Sequence, residues 1–148
     1  MASTYDFVAT AADGSQVPLS DCEDRGLEIL AFPCNQFKEQ EPASDDEIQT
    51  SCRTTYDVTF PVFAKIDVNG PTAHPLYAYL RAGAPGDFGP QYGDFYKAIS
   101  NIRPDADGTD EVKWNFNKFL IGRDGTVIKR YEPPVSPFDV EADLAQYL

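Results

Sequence analysis

With 148 residues, 42% of them hydrophobic and 24% charged, the chain is sized for a single domain, 1–148, around one core. Its 24 acidic residues against 12 basic ones give a net charge of −12, which excludes the basic surface that nucleic acids and anionic membranes require. No apolar stretch approaches the ~20 residues that span a bilayer, and the opening MASTYDFVATAADG has neither a basic nor an apolar leader segment, so a cytoplasmic location is expected.

In chain order, residues 5–8 and 16–19 flank Asp13-Gly14 and predict a short β-hairpin. Leu27–Phe32 is apolar throughout, as in a strand covered on both faces. Ser44-Asp45-Asp46-Glu47 has the form of a capping box and starts a helix that runs to about Thr54. Phe60–Asp67 alternates around Phe60, Val62, Ala64 and Ile66 and predicts a strand. A turn at Asn69-Gly70-Pro71 leads to a helix over 74–82 with Leu76, Tyr79 and Leu80 on one face, where His74 caps or packs.

Residues 83–111 are the least regular part and hold one short helix over 93–100. Their Asp105–Glu111 stretch resembles a calcium loop only loosely, with glycine in the wrong place, and is expected to be a solvated acidic loop. Lys118–Ile121 and Thr126–Tyr131 enclose Gly122-Arg123-Asp124-Gly125 as a second hairpin, and 137–148 forms a closing helix. Strands interleaved with helices imply an α/β sandwich. A single histidine and scattered cysteines make a metal site improbable on composition, and no phosphate loop or dinucleotide fingerprint points to a cofactor.

Four stretches in series carry a resemblance: LAFPCNQFKEQEP (Leu30–Pro42), TFPVFAKIDVNG (Thr59–Gly70), AHPLY (Ala73–Tyr77), and KWNFNKFL (Lys113–Leu120) followed by Asp124-Gly125. In order and nearly in spacing they resemble the glutathione peroxidase family. The resemblance implies a thioredoxin-like three-layer sandwich with a central mixed sheet. It also implies reduction of hydrogen peroxide or organic hydroperoxides, with glutathione or thioredoxin as reductant, in antioxidant defence. The family's nucleophile is a cysteine or selenocysteine at the start of a helix. A chalcogen of that kind attacks peroxide as its anion, which helix-start amides and neutral donors stabilise. Carried over by motif, those donors are Gln40, Trp114 and Asn115.

One segment of the family pattern is missing. Between the Leu19-Ser20-Asp21 turn and the Gly26–Pro33 strand, members carry a strand, the nucleophile and a helix. This chain passes from Asp21 to Gly26 through Cys22-Glu23-Asp24-Arg25 alone, short by roughly one βαβ unit's worth of residues, ~30. The expected fold therefore lacks one central strand and the following helix. Of the cysteines present, Cys22 is followed by two carboxylates that should raise its pKa, Cys34 is a weak substitute nucleophile, and Cys52 falls near the place of a resolving cysteine. An inert thiol is the simpler reading of all three.

Two readings stay open at this stage. One is a peroxidase whose complete form contains the segment; selenocysteine is encoded by a stop codon, which favours loss of such a segment from a translated sequence. The other is a catalytically inactive pseudo-peroxidase acting as a binding or regulatory module. Its difficulty is physical, because removing a central strand leaves its neighbours unpaired at about 1–3 kcal/mol per buried group. The peroxide preferred, the reductant and the oligomeric state are not legible in the sequence.

Overall fold

The computed structural model describes residues 2–148. It opens with an antiparallel hairpin, β1 (Val8–Thr10) against β2 (Gln16–Pro18), in which Ala9 faces Val17. The turn lies where Asp13-Gly14 predicts it: Asp13 Oδ1 accepts from the Ser15 amide, and Gly14 takes a φ of 87° that a side chain would strain. The first strand begins later than expected because Thr4–Asp6 closes a 3₁₀ turn capped by Ser3. A second 3₁₀ turn, Leu19–Cys22, follows β2 and buries Leu19.

The helices follow their sequence signals. In α1 (Asp45–Thr54) the Ser44 hydroxyl accepts from the Glu47 amide while the Glu47 carboxylate accepts from the Ser44 amide. In α2 (Pro75–Gly83) the imidazole Nδ1 of His74 accepts from the Leu76 amide at 3.1 Å, and Leu76 and Leu80 bury the inner face. The irregular region contains α3 (Gly93–Ile102). The second hairpin pairs β3 (Lys118–Ile121) with β4 (Val127–Tyr131), and α4 (Pro137–Leu144) closes the chain, ending earlier than predicted and burying none of its residues fully.

The central sheet is the element that departs from expectation. Leu27–Phe32 and Phe60–Asp67 do not form continuous strands. They meet through one parallel bridge, Ala31 with Val62, while Phe63 bridges antiparallel to Ala11. The four regular strands stand as two separate two-stranded sheets. The cause is visible in the hydrogen bonding: among the described residues, no backbone group of residues 26–30 bonds to another backbone group. Leu27 and Ile29 are each 53% exposed, so the run predicted to be buried on both faces lacks a neighbour on one side.

Packing nevertheless joins the pieces. Ala9, Leu19, Phe63, Leu76 and Leu80 form one core cluster, and Cys34, Phe37, Val68 and Val112 form another. Tyr77 and Phe119 touch both clusters, with their rings edge to face at 5.9 Å. A third buried group is polar. The Arg130 guanidinium donates to the carbonyls of Ala84, Pro85, Asp110 and Glu111 and to Asn117 Oδ1, tying the irregular region to β4.

Candidate functional site

Gln40 and Asn115 lie 75 positions apart in the chain and meet in space: Asn115 Nδ2 donates to Gln40 Oε1 at 2.8 Å. Their neighbour Trp114 is half-buried, with its ring 5.7 Å from that of Phe37. The structure thus brings together all three residues singled out as donors.

Local backbone conformation sets this meeting point. The loop before Gln40 holds Lys38 and Glu39 in the left-handed region, each at a φ of 52°, and Asn35 Oδ1 closes it by accepting from the Glu41 amide. Phe116, directly after Asn115, also has a positive φ of 67° and is 82% exposed. Left-handed non-glycine residues cost energy and persist where surrounding contacts enforce them.

Those contacts form a polar strut that the sequence did not announce. Gln36 Oε1 accepts from the amides of Val68 and Asn69, and its Nε2 donates to the Asn69 carbonyl. The buried Asn69 side chain then clamps Val112, donating to its carbonyl at 2.8 Å and accepting from its amide at 2.9 Å. Arg81 donates to Asn69 Oδ1 and the Val68 carbonyl, and Arg103 donates to the carbonyls of Val112 and Lys113. The loop carrying Gln40 and the segment carrying Trp114 and Asn115 are therefore fixed to one bracket. Asn69 had the signature of a turn residue in Asn69-Gly70-Pro71; its inward role was invisible because it depends on a partner 43 positions away.

Replacing Asn69 by alanine should orphan the Val112 amide and carbonyl at about 1–3 kcal/mol each. The urea midpoint should fall accordingly, whereas alanine at the exposed Asn101 should leave it within ~0.5 kcal/mol. Equal midpoints for the two variants would show that the bracket does not carry stability.

Chemically, the site offers neutral donors. Because Gln40 Oε1 is occupied by Asn115, the Nε2 protons of Gln40 stay available. Trp114, next to Asn115 in the chain, carries an indole N–H, a third neutral donor. Such groups stabilise an anion without adding a competing charge.

The cysteines are less well placed for chemistry. Cys34 is 6% exposed within the second core cluster, and burial pushes its thiol up, against the thiolate a nucleophile needs. Cys22 is also pushed up, first by burial and then by Glu28; the direction expected from its sequence neighbours holds, with a different carboxylate as the main charged contributor. Cys52 sits half-buried on α1. All three are free thiols, and among the described residues no cluster of His, Cys, Asp or Glu is arranged to hold a metal ion.

At the junction itself lies a groove of about 650 Å³. Asp21, Cys22, Arg25, Glu28 and Leu30 line one side, and Phe60 to Phe63 line another. Glu28 and Leu30, from the stretch 26–30 that has no backbone hydrogen bonds, are among its lining residues.

Comparison with known proteins agrees with the motif pattern. The family sequence model described as glutathione peroxidase matches residues 16–81. The thioredoxin/glutathione peroxidase BtuE of Escherichia coli is 52% identical over 116 residues, 78% of this chain but only 63% of its own length. The hydroperoxy fatty acid reductase gpx1 of Synechocystis is 38% identical over 97% of this chain and 95% of its own. That alignment runs over 174 positions, whereas 97% of 148 residues is about 144, so about thirty of its positions have no counterpart residue here. In three dimensions the chain matches the crystal structure of Trgpx in apo form with a TM-score of 0.66 and 27% identity, over 99% of this chain and 96% of that one.

Proposed function

This chain belongs to the glutathione peroxidase family, and on that premise we propose that its architecture serves the reduction of hydrogen peroxide or organic hydroperoxides by glutathione or thioredoxin. The observation that carries the reading is the Asn115–Gln40 hydrogen bond next to Trp114, a set of neutral donors assembled from two distant segments. In the proposed reaction a thiolate or selenolate takes the distal peroxide oxygen, the O–O bond breaks, and water or an alcohol leaves with a proton. Two equivalents of thiol, or one dithiol, then return the oxidised chalcogen to its starting state. The three free cysteines fit a reducing, cytoplasmic compartment.

We place the nucleophile on a segment between Asp21 and Gly26 that this chain does not contain. The open groove at that junction, the unpaired residues 26–30 and the roughly thirty unmatched alignment positions support the placement. Neither Cys34 nor Cys22 replaces it, since both thiols are pushed up. On this reading the 148-residue chain is inactive. Exchanging Cys22–Arg25 for the corresponding ~30-residue stretch of the Synechocystis relative should create hydroperoxide-dependent oxidation of glutathione or reduced thioredoxin. A completed chain that folds and turns over neither reductant would overturn the proposal, and activity in the unmodified chain would overturn the placement of the nucleophile. Sequencing the transcript across the Asp21–Gly26 codons gives an independent answer.

A second reading, an inactive binding module, is favoured by one observation, the same open groove.

A further inference from the structure

We propose that Asn69 is a deamidation site gated by the fold, protected while the bracket around it is closed and converted once that bracket opens. Three observations combine. The first is the sequence at the site. The chain has five asparagines, and only Asn69 is followed by a glycine, Gly70. The other four precede Gln36, Ile102, Phe116 and Lys118, whose side chains crowd the backbone nitrogen that must attack. Glycine leaves that nitrogen open and lets the backbone reach the conformations that ring closure needs. The reaction consumes one water and releases one ammonia. The Gly70 nitrogen gives its proton to base and attacks Asn69 Cγ, the Cγ–Nδ2 bond breaks, and ammonia leaves with a proton from water. The cyclic imide then takes up water and opens to aspartate, or to isoaspartate, in which the chain runs through the former side-chain carbonyl.

The second observation is what holds the amide in place. Asn69 is 5% exposed, its Nδ2 donates to the Val112 carbonyl at 2.8 Å, and its Oδ1 accepts from the Val112 amide at 2.9 Å and from Arg81 Nη1 at 3.2 Å. Gln36 grips the same residue by its backbone, accepting from the Asn69 amide and donating to the Asn69 carbonyl. Ring closure takes Cγ from planar to tetrahedral and expels Nδ2, so it cannot proceed with both Val112 bonds in place. Conversion therefore waits on opening of the bracket, and its rate in the folded chain measures how often that opening occurs.

The third observation is that the product does not fit. In aspartate the atom that faces the Val112 carbonyl is an acceptor without a proton, so a hydrogen bond becomes a contact of oxygen with oxygen. Arg81 offsets part of the new negative charge, but its guanidinium already faces Asp110 at 3.5 Å. Isoaspartate moves the carboxylate off the side-chain position altogether. Each opening that ends in conversion thus removes a chain from the closed state, and with it the bracket that fixes the loops of Gln40 and Asn115. The inference needs no peroxide chemistry, so it stands or falls apart from the peroxidase reading.

The test incubates the 148-residue chain at mildly alkaline pH, in buffer and in unfolding urea, and follows the mass of its tryptic peptides. Cleavage after Lys65 and Arg81 releases residues 66–81, in which Asn69 is the only side-chain amide, so a mass gain there belongs to Asn69. In urea Asn69 should convert many-fold faster than the exposed Asn101, which precedes isoleucine. In buffer its conversion should be about a hundredfold or more slower than in urea, the protection expected of a buried, hydrogen-bonded position. Gln36→Ala, which frees the Asn69 backbone, should speed conversion in buffer several-fold and leave the rate in urea unchanged. Asn69→Asp, one of the two products, should lower the urea midpoint and move the emission of Trp114, the only tryptophan, to longer wavelength; if it fails to fold, the rates in the parent chain still decide. Equal rates in buffer and urea, or conversion in urea no faster than at Asn101, overturns the proposal. An Asn69→Asp chain with the midpoint and emission of the parent overturns it as well, because the closed bracket would then accept the product.

Discussion

Methionine in place of Arg130 should destabilise the chain by about 3–5 kcal/mol, the cost of leaving a buried charge without its partner. That is a large fraction of the ~5–15 kcal/mol typical of a whole domain. Arg130 and Glu132 have side chains 1% and 0% exposed, with Nε and Oε1 3.5 Å apart, and neither carboxylate oxygen has a hydrogen-bond partner among the described residues. The guanidinium is thus the nearest compensation for Glu132 while also serving four backbone carbonyls and Asn117. Removing it strands both the carboxylate and the carbonyls.

The pH dependence of that variant has a definite sign. Burial raises the Glu132 pKa, whereas Arg130 and Lys113 lower it. Without Arg130 the folded-state value moves further up, so the folded state holds a proton that the unfolded state has released. Stability then falls as pH rises from the unfolded carboxyl value towards the raised folded one. Urea unfolding of the methionine variant should therefore show partial recovery at pH 5 relative to pH 8. A midpoint unchanged from the parent at both pH values would mean that the cluster contributes nothing.

Gly86 adds a local constraint to the same cluster. Its φ of 90° already disfavours a side chain, and a Cβ there would collide with Glu132 Oε1 and crowd the Arg130 guanidinium. The irregular region is therefore seated on a buried ion pair by a residue without a side chain, and this seat holds it despite its scarcity of regular structure.

How much of this was legible follows from which interactions are local. The cap at Ser44, the Asp13-Gly14 turn and the hairpin at Asp124-Gly125 depend on residues within three or four positions, and all appear near the places where the sequence put them. The strand at Leu27–Phe32 was predicted from an apolar run and that at Phe60–Asp67 from apolar alternation. Apolarity, however, is a statement about burial, whereas a strand also needs a neighbour to bond with. For residues 26–30 no backbone neighbour is present among the described residues, so the pattern persisted in the sequence while the ladder shrank to isolated bridges.

At the site, the motifs named Gln40, Trp114 and Asn115, which the fold brings together. They missed Gln36 and Asn69, because an inward-facing amide and an exposed turn amide look the same in one dimension. The buried polar group was missed for a related reason. In the sequence the charges of Lys113 and Arg130 carried no assigned role, yet Lys113 is 2% exposed, its ammonium bonded to the carbonyls of Thr109 and Glu111. Long charged side chains reveal burial only through partners from other segments.

In the completed protein, with the nucleophile segment inserted between Asp21 and Gly26, alanine at Gln40 or Asn115 should lower peroxide turnover by about 10²–10³-fold, the range for removing one preorganised donor from a developing anion. Phenylalanine at Trp114 keeps the ring against Phe37 and removes only the N–H, so it separates donation from packing. Because Gln40 and Asn115 are hydrogen-bonded to each other, their losses should not add: the double variant should lose less than the product of the single effects. The pH profile identifies where the donors act. If they hold the resting thiolate or selenolate, each substitution should shift the alkaline-rising limb of kcat/KM, and of the alkylation rate by iodoacetamide, to higher pH. If they act on the departing oxygen, turnover should fall while the alkylation profile stays in place. Variants that fold and retain full turnover would remove Gln40, Trp114 and Asn115 from the chemistry, and leave their meeting as packing between two loops on the Asn69 bracket.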